Sequence, residues 1–155
     1  MELPVKNIAS KDSVLLLWAT SPLLPEALAT MDSWGFDYKT IAFCWVKFYK
    51  KSNKPFMGLG YYTRANVELV LLGTKKKGAT LPRCNKGIRQ LVMSRIGDHS
   101  AKPNTVRDRI KKLYDDKFSK LELFARTEYS GFICIGNEIT GNDIKYDIQL
   151  LHEMD

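Results

Sequence analysis

The stretch Ser13–Ala19 (Ser-Val-Leu-Leu-Leu-Trp-Ala) is apolar at six consecutive positions, and this short unbroken run constrains the fold more than any other feature. It is far shorter than the ~20 residues a membrane span requires. It is also too uniform for a strand with one wet face, so it predicts a strand buried on both faces. Thr20-Ser21-Pro22 follows as a helix start signal. Leu24, Leu28 and Met31 then recur at helical spacing, and Gly35 stands where a C-cap glycine belongs.

The same vocabulary continues along the chain. Tyr38–Phe48 reads as a long strand rich in aromatic and branched residues, and Asn53–Gly60 as a loop. Val67–Leu72 reads as a second buried strand ended by Gly73, and Lys75–Lys86 as a basic loop. Ile88–Met93 is expected to be a strand, and Asp98–Pro103 a loop that opens a helix whose Val106, Ile110 and Leu113 share a face. Lys120–Ala125 and Phe132–Ile135 are the last strands expected. Strands alternating with helices indicate an α/β sheet covered by helices. Trp18, Trp34 and Trp45 are expected in its core. At 155 residues the chain reads as one domain, residues 1–155.

Charge points to a partner. The net charge is +7, and it is concentrated. Between Asp37 and Glu68 lie six basic residues and no acid, and between Glu68 and Asp98 seven more, again with no acid. Such a block can neutralise phosphates and release their counterions, or simply serve as a solvated basic surface. The three cysteines (Cys44, Cys84, Cys134) have no metal-ligand or disulfide-framework spacing, which suits a reducing cytoplasm and suggests no metal site. No apolar run is long enough to cross a membrane.

Several phrases in fixed order carry more specific information. They are Leu17-Trp18-Ala19-Thr20, Trp34-Gly35-Phe36, Trp45-Val46-Lys47, and Gly58-Leu59-Gly60-Tyr61-Tyr62-Thr63-Arg64 with Glu68 shortly after. His99-Ser100-Ala101-Lys102-Pro103, Glu122-Leu123-Phe124-Ala125-Arg126 and Gly136-Asn137-Glu138 complete the series. In joint order and spacing the chain resembles the MT-A-seventy adenine N-6 methyltransferases, which include bacterial and phage enzymes and the eukaryotic mRNA adenine methylases. The resemblance implies a circularly permuted Rossmann-like methyltransferase sheet and S-adenosylmethionine (SAM) as methyl donor. Residues 1–155 would be the C-terminal part of the family's catalytic domain.

One departure bears on activity. The family's Asp-Pro-Pro-Trp tetrad follows a central strand and precedes the point where the resemblance begins, so that strand and the catalytic tetrad are expected to be missing here. Asn53-Lys54-Pro55-Phe56 imitates a variant tetrad only faintly, with lysine in the second place and in the wrong part of the pattern. Phe132 stands where the family has tryptophan.

The 6-amino group of adenine is a poor nucleophile, and methyl transfer to it needs acceptors for its hydrogens and an in-line methyl. In the family the tetrad supplies the acceptors. No catalytic residue is therefore expected in this chain, and little or no methyl transfer by it alone. By resemblance the donor site comprises Lys102, Pro103, Phe124, Arg126, Thr127, Asn137 and Glu138. Lys102 would meet the donor carboxylate, Arg126 and Asn137 the ribose hydroxyls, and Glu138 the adenine or ribose edge.

For the nucleic-acid side the candidates are Lys47, Tyr61, Tyr62, Arg64 and Glu68. Adjacent tyrosines can stack on bases while cations follow the phosphates, although at least one tyrosine is expected to pack against the sheet. Glu68 would contact the substrate adenine or pair with Arg64. His99 is expected to be a structural loop residue or part of the donor pocket. Two functions stay open: an adenine methyltransferase completed by further polypeptide, upstream or on a partner chain, or a non-catalytic nucleic-acid-binding subunit.

Overall fold

The computed structural model describes residues 3–75, 81–98 and 101–154. Lys76, Lys77, His99 and Ser100, assigned above to two loops, lie outside the described residues. The chain begins with a single helical turn, α1 (Val5–Ile8), and then enters β1 (Val14–Thr20). A 3-10 turn (Ser21–Leu23) carrying Pro22 leads into α2 (Leu24–Ser33). Gly35 closes this helix with φ +82°, its amide donating to the carbonyl of Asp32 at 2.9 Å. That left-handed turn is the one expected after a helix C-terminus.

Next come β2 (Phe36–Phe48), β3 (Val67–Lys75) and β4 (Leu91–Arg95). They join β1 in a four-stranded sheet of order β1-β3-β2-β4. β3 is antiparallel to both β1 and β2, whereas β4 is parallel to β2. β1, β2 and β4 therefore run the same way, and their carboxyl ends lie with the first residues of β3. β2 shifts register twice against β3, between Tyr38 and Thr40 and between Ile41 and Phe43, which bends the longest strand.

Helix α3 (Asn104–Leu113) separates this sheet from a second, two-stranded parallel one made of β5 (Leu121–Leu123) and β6 (Ile133–Ile135). Two short helices, α4 (Asn137–Thr140) and α5 (Ile144–Met154), end the described chain. α5 was not anticipated, although Ile144, Ile148 and Leu151 have helical spacing and all pack into the core.

Two cores sandwich the larger sheet. On one face Phe43, Trp45, Val70 and Val92 meet Val106 and Ile110 of α3. On the other, Met31, Trp34, Phe36 and Leu71 pack with Val5 and Ile148. Ile135, Leu121 and Leu123 of the second sheet enter this latter core, so both sheets share it without pairing strands.

Several expectations change. β1 is covered on both faces as expected, Leu15 and Leu17 packing into one core and Leu16 and Trp18 into the other, but it lies at the edge of the four-stranded sheet and only Ala19 in it is fully buried. β3 does not end at Gly73 but runs on to Lys75. A Cβ at Gly73 would come within 2.4 Å of Met31 Cε, so this glycine lets α2 approach the strand rather than stopping it. The strand expected at Ile88–Met93 lies later, at Leu91–Arg95, with Ile88 used as core packing. Trp34 and Trp45 are buried as expected, whereas Trp18 is only half-buried. The outcome is a mixed α/β fold with a mixed sheet.

Candidate functional site

Strand register brings Glu68 between Thr20 of β1 and Trp45 of β2, at the carboxyl ends of the parallel strands. This is the end of an open α/β sheet where ligands bind. Glu68 is only 7% exposed. Its two carboxylate oxygens each accept from one lysine: Oε1 from Lys47 Nζ at 2.5 Å, and Oε2 from Lys102 Nζ. Each ammonium also lies over an indole, Lys47 5.2 Å from the Trp45 ring centre and Lys102 5.3 Å from that of Trp18. The two indoles meet edge-to-face at 6.0 Å.

Burial alone would push the Glu68 pKa up, because it disfavours the charged form. The hydrogen bonds and charges of Lys102 and Lys47 outweigh it, and the carboxyl is held below its ordinary value. Two ammoniums on one carboxylate leave this cluster with a net positive charge. Lys102, 34% exposed on its side chain, is the part that can reach an incoming anion. The partners of Glu68 are thus Lys47 and Lys102, in place of the Arg64 pairing considered from sequence. Beside Lys47 in register lies Ser94, whose buried hydroxyl has no hydrogen-bond partner among the described residues.

A second group forms where β5 and β6 end. Phe124 follows β5 with φ +58°, a left-handed backbone that a bulky side chain rarely adopts. Its ring is exposed. The next residue, Ala125, donates its amide to the Ile135 carbonyl at 2.9 Å. Gly136 is pressed against this turn: a Cβ there would lie 2.5 Å from the Ala125 carbonyl oxygen. Arg126 Nε donates to Glu138 Oε1 at 2.7 Å, and both side chains are about half exposed. Thr127 and Asn137 are exposed on the same two chain segments. The donor-site candidates thus divide into two sets: Phe124, Arg126, Thr127, Asn137 and Glu138 here, and Lys102 with Pro103 at the foot of α3. Two shallow concavities of about 460 and 520 Å³ lie elsewhere, one between α1 and α5 and one along Glu128–Phe132, and neither joins the two sets.

A third region is the loop between β2 and β3. Tyr61 is 93% and Tyr62 102% exposed, so the expectation that one packs against the sheet is overturned. Leu59 and Met57 are exposed with them. The loop is nevertheless tightly built. Phe56 N donates to the Lys47 carbonyl at 2.7 Å, and Gly58 N to the Ala65 carbonyl at 3.0 Å. Cβ atoms at Gly58 and Gly60 would lie 2.5 and 2.1 Å from carbonyl oxygens of Ala65 and Thr63. The turn therefore demands these glycines and holds its aromatic residues outward. Arg64 is exposed beside them.

Sequence reasoning missed one group altogether. Arg107 of α3 grips Glu122 of β5 through both carboxylate oxygens, at 2.8 and 2.6 Å. It stacks over the Tyr129 ring at 5.1 Å, and Tyr129 in turn donates to Asp108 at 2.5 Å. The acids and bases of α3 carried that signal, but only as one charged face.

Among the described residues no cluster of three or more His, Cys, Asp or Glu side chains gathers as a metal site would, and no helix is long and apolar enough to cross a membrane. Comparison with known proteins matches residues 1–138 to the family model described as MT-A70. A curated relative, the Type II methyltransferase M.MunI of a Mycoplasma species, is 37% identical over 148 residues. The match takes in 96% of this chain and 60% of the relative, so the chain spans about three-fifths of that protein's length.

Proposed function

The chain belongs to the MT-A70 family, and on that premise we propose that it is the donor-holding and substrate-tracking part of a SAM-dependent adenine N-6 methyltransferase acting on nucleic acid. The carrying observation is the Lys47–Glu68–Lys102 cluster at the carboxyl ends of β1 and β2. The relative, too, is named a methyltransferase. A permuted methyltransferase sheet whose central strand lies on polypeptide outside residues 1–155 agrees with two sheets that share one core but no strand.

The residues suit such a donor. Lys102 offers an ammonium to its carboxylate, from a cluster that retains a positive charge. Arg126, Asn137 and Glu138 offer both donors and an acceptor to a ribose or adenine edge. SAM, when bound, supplies an electrophilic methyl on its sulfonium. Everything else falls to side chains. Tyr61 and Tyr62 stack on exposed bases, Arg64 meets phosphates, and buried Glu68 keeps Lys47 and Lys102 in place.

No Asp-Pro-Pro-Trp occurs in residues 1–155, so acceptors for the amino hydrogens are assigned to other polypeptide, in the same protein or a partner chain. The isolated chain is then expected to bind SAM and nucleic acid but to transfer little or no methyl. Calorimetry with SAM, combined with a labelled-methyl assay on duplex and single-stranded substrates, tests this directly. Substantial incorporation by residues 1–155 would refute the division of labour. Salt-dependent nucleic-acid binding without SAM binding would favour a non-catalytic binding subunit instead.

A further inference from the structure

The two sheets exchange no strand hydrogen bonds, yet the donor-site candidates are divided between them. Helix α3 bridges them. One of its faces, Val106 and Ile110, is sunk into the core of the four-stranded sheet. Arg109 also ties it to that sheet through the Leu91 carbonyl, whereas three further contacts reach the second sheet and its connecting loop: Arg107 to Glu122, Tyr129 to Asp108, and Lys111 Nζ to the Ser130 carbonyl at 3.1 Å. Lys102 and Pro103 lead into the first turn of α3, with Pro103 as its N-cap. Glu122 precedes Phe124 and Arg126 by two and four positions.

We propose that the Arg107–Glu122 pair is a positioning clamp for the methyl donor, fixing the separation between Lys102 and the turn at Phe124–Arg126. This rests on the function proposed above. The pair is built for rigidity. A planar guanidinium meeting a carboxylate through two parallel bonds fixes orientation as well as distance. Its third arm is held by Asn104 Oδ1 at 2.8 Å, and its face by Tyr129. It is also shielded, at 15% and 27% side-chain exposure, so water and salt screen it less than a surface pair. A donor with a carboxylate at one end and a nucleoside at the other must span both sides of the clamp. In a reacting complex a misplacement of about 1 Å can cost on the order of 100-fold in rate.

The span suggests an experiment that separates positioning from mere stability. SAM is titrated by calorimetry into the 155-residue chain and into R107A, R107K, E122Q and the exchanged pair R107E/E122R. Methylthioadenosine, which has the nucleoside half but no carboxylate, is titrated in parallel. A clamp predicts that R107A and E122Q weaken SAM about 10-fold or more while methylthioadenosine stays within about 2-fold. R107K, with charge but no planar fork, should resemble R107A, and the exchanged pair should recover part of the loss. Should R107A not fold, the near-isosteric E122Q carries the comparison. Equal weakening of both ligands would mean a structural role only and would overturn the clamp, as would unchanged SAM affinity in folded R107A and E122Q. Absence of SAM binding by the wild-type chain would overturn the donor site itself, and the clamp with it.

Discussion

Lys102 and Glu68 meet ammonium to carboxylate across 34 positions of sequence, tying the foot of α3 to the start of β3 beside Lys47 and two tryptophans. The contact makes the buried acid and the cation assigned to the donor mutually dependent. Neither is explained alone.

Glu68→Gln should therefore act on stability and on pH dependence together. The folded-state pKa lies below the ordinary 4.5, so ionised Glu68 stabilises the fold above that value. The contribution is lost as pH falls through the depressed folded value. E68Q should cost roughly 1–3 kcal/mol near neutrality, since two partly exposed lysines lose a charged acceptor. It should also flatten the acid limb of the stability curve. Urea titrations of both proteins from pH 7 down to pH 3 check this, and parallel curves would show that Glu68 does not titrate as described.

Tyr61→Ala and Tyr62→Ala should leave the melting temperature almost unchanged, because both rings are in solvent. Each should weaken single-stranded DNA binding by about 1–3 kcal/mol if it stacks on a base. Affinity of the unaltered chain should fall steeply as salt rises, given thirteen basic residues in two acid-free runs. Fluorescence anisotropy over a salt series measures both effects. A tyrosine-independent affinity would confine the interaction to phosphates.

Gly73 and Met31 should couple. Met31→Ala empties a fully buried site and should cost about 2–5 kcal/mol. Gly73→Ala adds a methyl facing Met31 Cε and the Asp37 carbonyl, at 2.4 and 3.1 Å, and should cost about 1–3 kcal/mol. In the double variant the added methyl occupies space vacated by Met31, so the combined loss should be smaller than the separate losses together. Denaturant titration of the four proteins decides, and strict additivity would remove this account of Gly73.

That glycine also illustrates what the sequence conveys and what it withholds. β1 and α2 were readable because their signals are local: an apolar run, then Pro22, then Gly35 at the turn it requires. Gly73 resembles a strand end when read locally, and only the passage of α2 over β3 shows why it is there. For Glu68 the sequence offers the substrate adenine or its neighbour Arg64, whereas strand register sets it opposite Trp45 within reach of Lys47, and the start of α3 delivers Lys102. The Arg107–Glu122 contact belongs to this class too, since nothing within either segment specifies the other. Helix α5 is different: Ile144, Ile148 and Leu151 carry its signal within the segment itself.

Phe124 has a wider consequence. A phenylalanine in a left-handed conformation costs about 1–3 kcal/mol that the surrounding structure must supply. That energy is spent during folding, before any ligand arrives. A molecule docking against this turn meets a backbone that is already shaped, and none of its own binding energy goes into bending it. A glycine here would make the protein easier to fold and its turn freer to wander, so greater stability and weaker grip would arrive in the same substitution.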